Sequence, residues 1–267
     1  MSFAIMYFIS SAFADTHMSF WERISPPKDI SVNGHLIDYL FHYTTFFNIV
    51  FFLLVCAGLF GFSYLYAKKR HPIAYYTHGN KKIHVIVATL IGAFVFFAID
   101  LNITRMSSND FSKIFANFPK KDEDVIKVEV LAQQWMWTFR YAGADQVFNT
   151  DDDVITTNDL RLPTGKKVVL ELLSKDVIHS LFLPNVRQKV DAMPGRISKM
   201  WFELTTPGNY EIACAEMCGT HHYKMASKFK VYSPEDFQRW LATANQMALA
   251  ENDLANADYF WGWQWEE

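Results

Sequence analysis

The sequence predicts a two-helix transmembrane hairpin followed by an all-β domain. Two long apolar runs lie between residues 43 and 99, and short β-rich runs separated by turn signals follow from residue 125. The 267 residues are 51% hydrophobic and 16% aromatic, which is enough for one sizeable domain plus extra apolar segments. Strands of this kind typically form an antiparallel sandwich or barrel.

The chain divides into five predicted parts. They are an N-terminal segment (1–39), the hairpin (40–105), a polar linker (106–124), the β-domain (125–232), and a C-terminal helix with an aromatic tail (233–267). Residues 1–14 form a candidate signal peptide that ends in Ala12-Phe13-Ala14 but lacks a basic start, so its cleavage stays open.

The hairpin has spans at about 43–67 and 83–99. A spanning helix needs ~20 apolar residues, and both runs fall within the ~17–25 range. A buried helix of a soluble protein is the alternative, but two nearly charge-free runs joined by a short basic loop favour a membrane. The loop carries Lys68, Lys69, Arg70, Lys81 and Lys82. These charges favour the cytoplasmic or matrix side for the loop, which places the β-domain outside.

Seven strands are predicted in the β-domain, at 125–130, 135–141, 166–173, 177–183, 199–205, 210–213 and 228–231. Pro-Gly turns separate several of them. Ser233-Pro234-Glu235-Asp236 then signals the start of a helix, with serine as the cap and proline at the first position. The aromatic run 259–265 could cover the barrel, dock a neighbouring subunit or lie at the membrane interface.

The loop from Cys214 to Met225 carries the candidate chemistry. It holds two thiols, an imidazole and a thioether, which are soft ligands that favour copper. A structural zinc site usually completes its tetrahedron without methionine. Because the cysteines are four residues apart, their sulfurs can meet at one point and bridge two metal ions. A local disulfide and an unloaded turn with two buried thiols are the alternatives, which the added His and Met disfavour.

The pattern C-x-E-x-C-G-x-x-H-x-x-M resembles the copper A loop of subunit II of haem–copper cytochrome c oxidases. The resemblance implies a cupredoxin-like Greek-key barrel with a dinuclear copper centre. Cys214 and Cys218 would bridge the metals, His222 and Met225 would be terminal ligands, and the Glu216 carbonyl would be a weak ligand.

One more imidazole is needed, and the family takes it from a D-V-x-H-S segment. This chain has Asp176-Val177-Ile178-His179-Ser180, which makes His179 the candidate. The β-domain has only two other histidines, His221 and His222, and both lie in the loop.

Other segments extend the resemblance. Gln134-Trp135-Met136-Trp137 resembles the family's Q-W-x-W strand, which implies Trp135 as the electron entry residue; the alternative is that both tryptophans are core. The Glu216 side chain would contact a magnesium ion at the subunit I boundary. Asp191 to Arg196 resembles the D-A-x-P-G-R segment on the route toward haem, although an ordinary turn with a surface arginine has the same pattern.

Three departures indicate a divergent branch. His84 stands where the family commonly has a glutamate that feeds a proton path, Leu181 replaces a frequent aromatic residue, and Ile212-Ala213 replaces Gly-Gln. None of them removes a predicted ligand. His84 could exchange protons near neutral pH, or it could simply lie at the membrane boundary.

The charge balance bears on partners. Residues 106–267 hold 23 Asp and Glu against 17 Lys and Arg, a net charge of −6. This balance favours a basic partner such as a c-type cytochrome and disfavours nucleic acid.

The expected function is that of cytochrome c oxidase subunit II. Electrons would pass from a c-type cytochrome to copper A and on to haem in subunit I, where the oxygen chemistry occurs. The expected location is the bacterial inner membrane, among lipid and other oxidase subunits, with the copper domain in the periplasm. The alternatives are a quinol oxidase subunit II and a membrane-tethered copper carrier or assembly protein. A nitrous-oxide reductase copper domain shares the loop but not the two-span anchor.

Overall fold

The computed structural model describes residues 25–251 except 74, 75, 77 and 121–123. The candidate signal peptide and the aromatic tail therefore lie outside the described residues.

Two helices are long and apolar enough to cross a membrane: α1 (Gly34–Leu65) and α2 (Lys82–Phe115). The Tyr43 hydroxyl on α1 donates to the Ala98 carbonyl on α2 at 2.9 Å, which joins the two helices. The predicted polar linker is helical up to Phe115. A polar helix can continue beyond an apolar span until a breaker stops it, and here the helix ends shortly before Pro119.

Helix α1 begins at Gly34, before the predicted boundary at residue 40. The Gly34 backbone N–H donates to Ser31 Oγ at 2.8 Å, and the Asp29 carboxylate accepts from the Ser31 backbone and hydroxyl at 3.0 Å each. A Cβ atom on Gly34 would lie 2.1 Å from Asp29 Oδ1. A side chain at this position would therefore displace the Asp29 carboxylate from its hydrogen bonds with Ser31.

Ten strands form two five-stranded sheets. The strands are β1 (Val125–Gln133), β2 (Met136–Tyr141), β3 (Val154–Thr157), β4 (Asp159–Pro163), β5 (Lys167–Ser174), β6 (His179–Leu183), β7 (Gln188–Ala192), β8 (Ser198–Glu203), β9 (Gly208–Cys214) and β10 (Ala226–Tyr232). The sheet orders are β3-β2-β1-β5-β8 and β4-β10-β9-β6-β7. Two apolar helices followed by a two-sheet all-β domain confirm the predicted fold class.

The sheets differ from the expected antiparallel arrangement in two pairings. β1 pairs with β5 and β4 pairs with β10 in parallel. Both pairs are separated along the chain by several other strands, so no short hairpin fixes their relative direction. The remaining pairings are antiparallel.

The hydrophobic core lies between the two sheets. Alternate residues of each strand point inward, as the two-residue period of a strand requires. The core includes fully buried Val128, Val130, Trp137, Phe139, Leu160, Leu162, Leu170, Leu172, Phe202 and Phe229. This packed scaffold supports the loops at the ends of β6 and β9.

The segment before α1 is inserted into the β-domain. Ile30 is fully buried in the core, its N–H donates to the Asn185 carbonyl at 2.9 Å, and its carbonyl accepts from the Thr205 N–H at 2.8 Å. Arg187 Nε donates to Asp38 Oδ1 on α1 at 2.6 Å. The N-terminal segment thus completes the β-domain, which the sequence did not predict.

Helix α3 (Pro234–Glu251) begins where the sequence predicts. Ser233 Oγ accepts from the Asp236 N–H at 3.1 Å, which caps the helix start. Phe237 is buried in the core, and the Trp240 ring packs against Tyr141 with centroids 5.2 Å apart. The helix therefore covers one edge of the barrel.

Candidate metal centre

The metal-binding loop, residues 214–225, connects β9 to β10. Cys214 is the last residue of β9, and β10 begins just after Met225. β6 pairs with β9 so that Leu181 lies opposite Cys214, which brings His179, the first residue of β6, next to the loop. The adjacent strands β6 and β9 therefore place His179 and Cys214 beside each other.

The sulfur atoms of the loop converge. Cys214 Sγ lies 3.8 Å from Cys218 Sγ, which lies 3.7 Å from Met225 Sδ and 3.5 Å from His222 Nδ1. The Glu216 carbonyl oxygen lies 3.3 Å from Cys214 Sγ. Five of the six predicted ligands thus meet within the loop.

His179 joins this cluster from β6. Ligand atoms of His179, Cys214 and Cys218 lie within 4.8 Å of one another, and all three residues are buried. His179 Nδ1 is buried and has no hydrogen-bond partner among the described residues. A buried imidazole nitrogen without a partner beside two thiols fits a soft metal ion, because a metal would satisfy it.

The cysteines are not crosslinked. Cys214 and Cys218 are free thiols, and their 3.8 Å separation is far longer than the ~2.05 Å of a disulfide bond. Cys214 and Cys218 therefore do not form the local disulfide that was the alternative to a metal site.

The two thiols differ in acidity when no metal is present. Burial raises the pKa of Cys214, but the polar groups around the thiol, led by the His179 imidazole, outweigh it and lower the pKa to about 6. Burial and the neighbouring Cys214 thiolate raise the pKa of Cys218 to about 12. A second thiolate in this small volume therefore needs a cation to compensate it.

Trp135 contacts the backbone of the metal-binding loop. Its Nε1 donates to the Cys218 carbonyl at 3.2 Å, and Gln134 Nε2 donates to the same oxygen at 2.8 Å. Gly219 has a φ of +115°, and a Cβ there would lie 2.8 Å from Gln134 Nε2 and 3.2 Å from the Trp135 ring. Glycine allows this close approach.

The predicted strand at 135–141 begins one residue later, at Met136. Trp135 therefore lies in the turn between β1 and β2 and is half-buried, whereas Trp137 is fully buried. The hydrogen bonds of the turn hold Gln134 and Trp135 against the loop. The His221 ring is exposed and packs on Trp135, with centroids 4.4 Å apart.

The remaining predicted contact residues lie at the surface. The Glu216 side chain is exposed, and its Oε1 accepts from the Met217 N–H at 3.2 Å. Asp191 on β7 accepts from the Ser180 hydroxyl at 2.6 Å, and Arg196 is exposed at the end of a tight turn. Neither Asp191 nor Arg196 touches the thiol cluster.

Asp176 is the residue of the site to which sequence reasoning assigned no role. Its Oδ1 accepts from His179 Nε2 at 2.8 Å, and its Oδ2 accepts from the Gln134 N–H at 2.7 Å. Burial raises the pKa of Asp176, but these hydrogen bonds outweigh it and hold the pKa below its usual value. The D-V-x-H spacing could have indicated it, because a carboxylate three residues before a ligand histidine can reach its ring.

Exposed apolar side chains, here called the apolar rim, flank the predicted ligands in the chain. The apolar rim consists of Val177, Ile178, Met217 and Tyr223, each of which lies within two residues of a predicted ligand in the chain. Met217 is 74% exposed and Tyr223 is 68% exposed. Large apolar side chains grouped at one surface typically mark an interaction site.

The chain is similar in sequence to known proteins of one family. Residues 126–231 match the family model "Cytochrome C oxidase subunit II, periplasmic domain". The alternative cytochrome c oxidase subunit 2 of Bradyrhizobium diazoefficiens is 32% identical over 170 residues, which cover 55% of this chain and 61% of that relative. That alignment thus spans less than two thirds of the relative.

A second relative aligns over nearly the whole chain. The probable cytochrome c oxidase subunit 2 of Rickettsia prowazekii is 28% identical over 268 residues, which cover 92% of this chain and 80% of that protein. A crystal structure of the periplasmic domain of subunit II of cytochrome oxidase from Bradyrhizobium japonicum covers 48% of this chain and 97% of its own, with 25% identity and a TM-score of 0.42.

Proposed function

We propose that the chain is a member of the cytochrome c oxidase subunit II family, whose periplasmic-domain model matches residues 126–231, and that it is the electron-accepting subunit of a terminal oxidase. It receives electrons from a c-type cytochrome at a dinuclear copper A centre and passes them to haem in subunit I. Oxygen is reduced in subunit I. One observation carries the proposal: the two thiols, the thioether and the two imidazoles that the loop motif and the D-V-x-H-S segment imply converge at one place.

Six residues would hold the metal: His179, Cys214, Glu216 through its carbonyl, Cys218, His222 and Met225. When bound, copper supplies one-electron transfer between two oxidation states. The protein contributes a rigid frame, because Cys214 and His179 stand on adjacent strands of a packed sheet. Such a frame limits how far the ligands move when the charge changes.

Trp135 is the proposed electron entry residue. Its indole is half-buried and is hydrogen-bonded to the backbone of Cys218, so it bridges the surface and a ligand residue. The donor would dock on the apolar rim around it. The net charge of −6 over residues 106–267 would steer a basic donor from a distance, while the apolar rim makes the contact.

The opposite side of the centre would face subunit I. Glu216, with its exposed carboxylate, is the proposed magnesium contact at that boundary, and the turn that ends at Arg196 is the proposed path toward haem. The two helices able to cross a membrane anchor the chain there among lipid and other oxidase subunits. We place the β-domain on the periplasmic side of a bacterial inner membrane, because the basic loop between the helices favours the cytoplasm.

Burial of the cluster argues against the alternatives. A copper carrier needs an open, exchangeable site, but His179, Cys214, Cys218 and Met225 are all buried. A quinol oxidase subunit II has no need of copper ligands, and here the whole set is retained.

The test is electron paramagnetic resonance with visible absorption on the full chain, loaded with copper in detergent. We expect two copper ions per chain, a purple colour and a multi-line spectrum from one electron shared by two nuclei. Cys218→Ser should abolish that spectrum. Cys56→Ser, which changes a free thiol within α1, is the matched control and should keep it. A single-copper spectrum or no stable copper in the unaltered chain would refute the proposal.

A further inference from the structure

We propose that Asp176 is a positioning residue that holds the ligand His179 and the electron entry turn at Gln134 and Trp135 in one fixed arrangement. The inference rests on the proposed function. It concerns how one carboxylate connects parts of the site that lie far apart in the sequence.

The contacts divide between the two oxygens of Asp176. Oδ1 accepts from His179 Nε2 at 2.8 Å and from the Val177 N–H at 2.6 Å. Oδ2 accepts from the Gln134 N–H at 2.7 Å. Every one of these partners is a donor, so the charged carboxylate suits the position.

The first consequence concerns the ring of His179. A proton on Nε2 that is donated to Asp176 leaves the lone pair of Nδ1 free, and Nδ1 is the buried atom without a partner. The carboxylate thereby selects the ring nitrogen that faces the thiols. A carboxylate that accepts from a metal-bound imidazole also makes it a more basic ligand.

The second consequence concerns electron entry. The backbone of Gln134 is held by Asp176, while its side chain and the Trp135 indole both donate to the Cys218 carbonyl. A continuous hydrogen-bonded path therefore runs from His179 through Asp176 to Gln134 and on to Cys218. A displacement of Asp176 would disturb the ligand ring and the entry tryptophan together.

The position of Asp176 is not explained by packing. Its side chain is 31% exposed, and it lies in the loop before β6 rather than in the core. A carboxylate at such a position could remain solvated, yet its hydrogen bonds are directed inward to the site.

Asp176→Asn tests the inference in the full chain loaded with copper. An amide has one acceptor oxygen, so its NH₂ group must face either the Gln134 N–H or His179 Nε2–H. We expect the affinity for copper(I), measured by competition with a chelator, to fall about 10–100-fold. We also expect the midpoint potential of the centre to rise, because a less basic imidazole stabilises the oxidised form less.

Asp159→Asn is the matched control. Asp159 on β4 is a similarly exposed carboxylate that accepts from Arg161 at 2.6 Å and belongs to no part of the site. Its variant should keep the affinity and potential of the unaltered chain. Equal values for Asp176→Asn and the unaltered chain would overturn the inference while leaving the proposed function standing.

A measurement on the unaltered chain covers the case in which Asp176→Asn does not fold. In the diamagnetic copper(I)-loaded chain with ¹⁵N-labelled histidine, the Nε2 proton of His179 should exchange slowly with solvent. Rapid exchange, or a proton on Nδ1 instead, would overturn the inference. Failure of the unaltered chain to bind two copper ions would instead refute the proposed function itself.

Discussion

Replacing Gly219 with alanine perturbs the contact between the metal-binding loop and the turn that carries Trp135. At a φ of +115° a side chain costs about 1–3 kcal/mol. The new methyl group would also lie 2.8 Å from Gln134 Nε2 and displace that amide from the Cys218 carbonyl, a loss of about 1 kcal/mol. Alanine restricts the unfolded chain and returns about 0.4–1 kcal/mol. The net loss is about 2 kcal/mol.

The assay is thermal unfolding of the full chain in detergent, followed by near-ultraviolet circular dichroism. A loss of this size lowers the Tm of a domain of ~100 residues by about 10 °C. The copper spectrum and the fluorescence of Trp135 should change in the same variant, because the displaced amide and indole both touch the loop.

Gly165→Ala is the matched control. Gly165 also has a positive φ, +69°, but a Cβ there meets nothing within 4 Å. For Gly165→Ala we expect about half the loss of stability that we expect for Gly219→Ala, and an unchanged copper spectrum. The reasoning is refuted if Gly219→Ala and Gly165→Ala unfold at the same temperature with the same spectrum.

Three further predictions test the scaffold. Burial raises the pKa of Asp153 from 3.8 to about 6. The native state therefore binds the proton of Asp153 more tightly than the unfolded state does. The contribution of Asp153 to the free energy of unfolding falls as pH rises from about 4 to 6, by at most about 3 kcal/mol. Asp153→Asn should flatten that part of the stability–pH curve, and an unchanged slope would contradict it. Phe237→Ala should cost about 3–5 kcal/mol and expose α3 to proteolysis, whereas resistance equal to that of the unaltered chain would exclude a packing role for α3. A double-mutant cycle of Arg187→Met and Asp38→Asn should give a coupling of about 1–2 kcal/mol in thermal unfolding; a value near zero would mean that their ion pair does not attach α1 to the β-domain.

Strong local signals made much of the fold predictable. Long apolar runs predict spanning helices on length alone, and Ser233-Pro234 marks a helix start through capping chemistry. The loop motif indicated the family, and the match over residues 126–231 confirms that resemblance.

Other features were not predictable because they depend on distant contacts. β3 and β4 are four and five residues long and join almost directly through Asn158, so no turn of ordinary length separates them in the sequence. β7 is only five residues long, so the alternation of charged Lys189 and Asp191 with Val190 and Ala192 is too short to be a strong strand signal. The parallel pairings are likewise set by tertiary packing.

In the candidate site, too, local sequence predicts some features, while others depend on distant contacts. The predicted ligands follow from the resemblance carried by the loop motif and the D-V-x-H-S segment, and the structure brings them together. The hydrogen bonds of Asp176 and Gln134 depend on the meeting of two loops that lie 42 residues apart, which no local pattern reports. Trp135 was assigned to a strand because the alternation continues through it, although its hydrogen bonds hold it in a turn.

The insertion of Ile30 into the β-domain constrains how the molecule can be made. Ile30 precedes the first membrane crossing and the β-domain follows the second, so their contact requires both to be delivered to the same face of the bilayer. Ile30 must wait for Thr205, which follows 175 residues later in the chain, before it reaches its final position. Membrane insertion of both helices therefore comes before completion of the barrel core, and a barrel produced without its N-terminal segment lacks one of its own core residues.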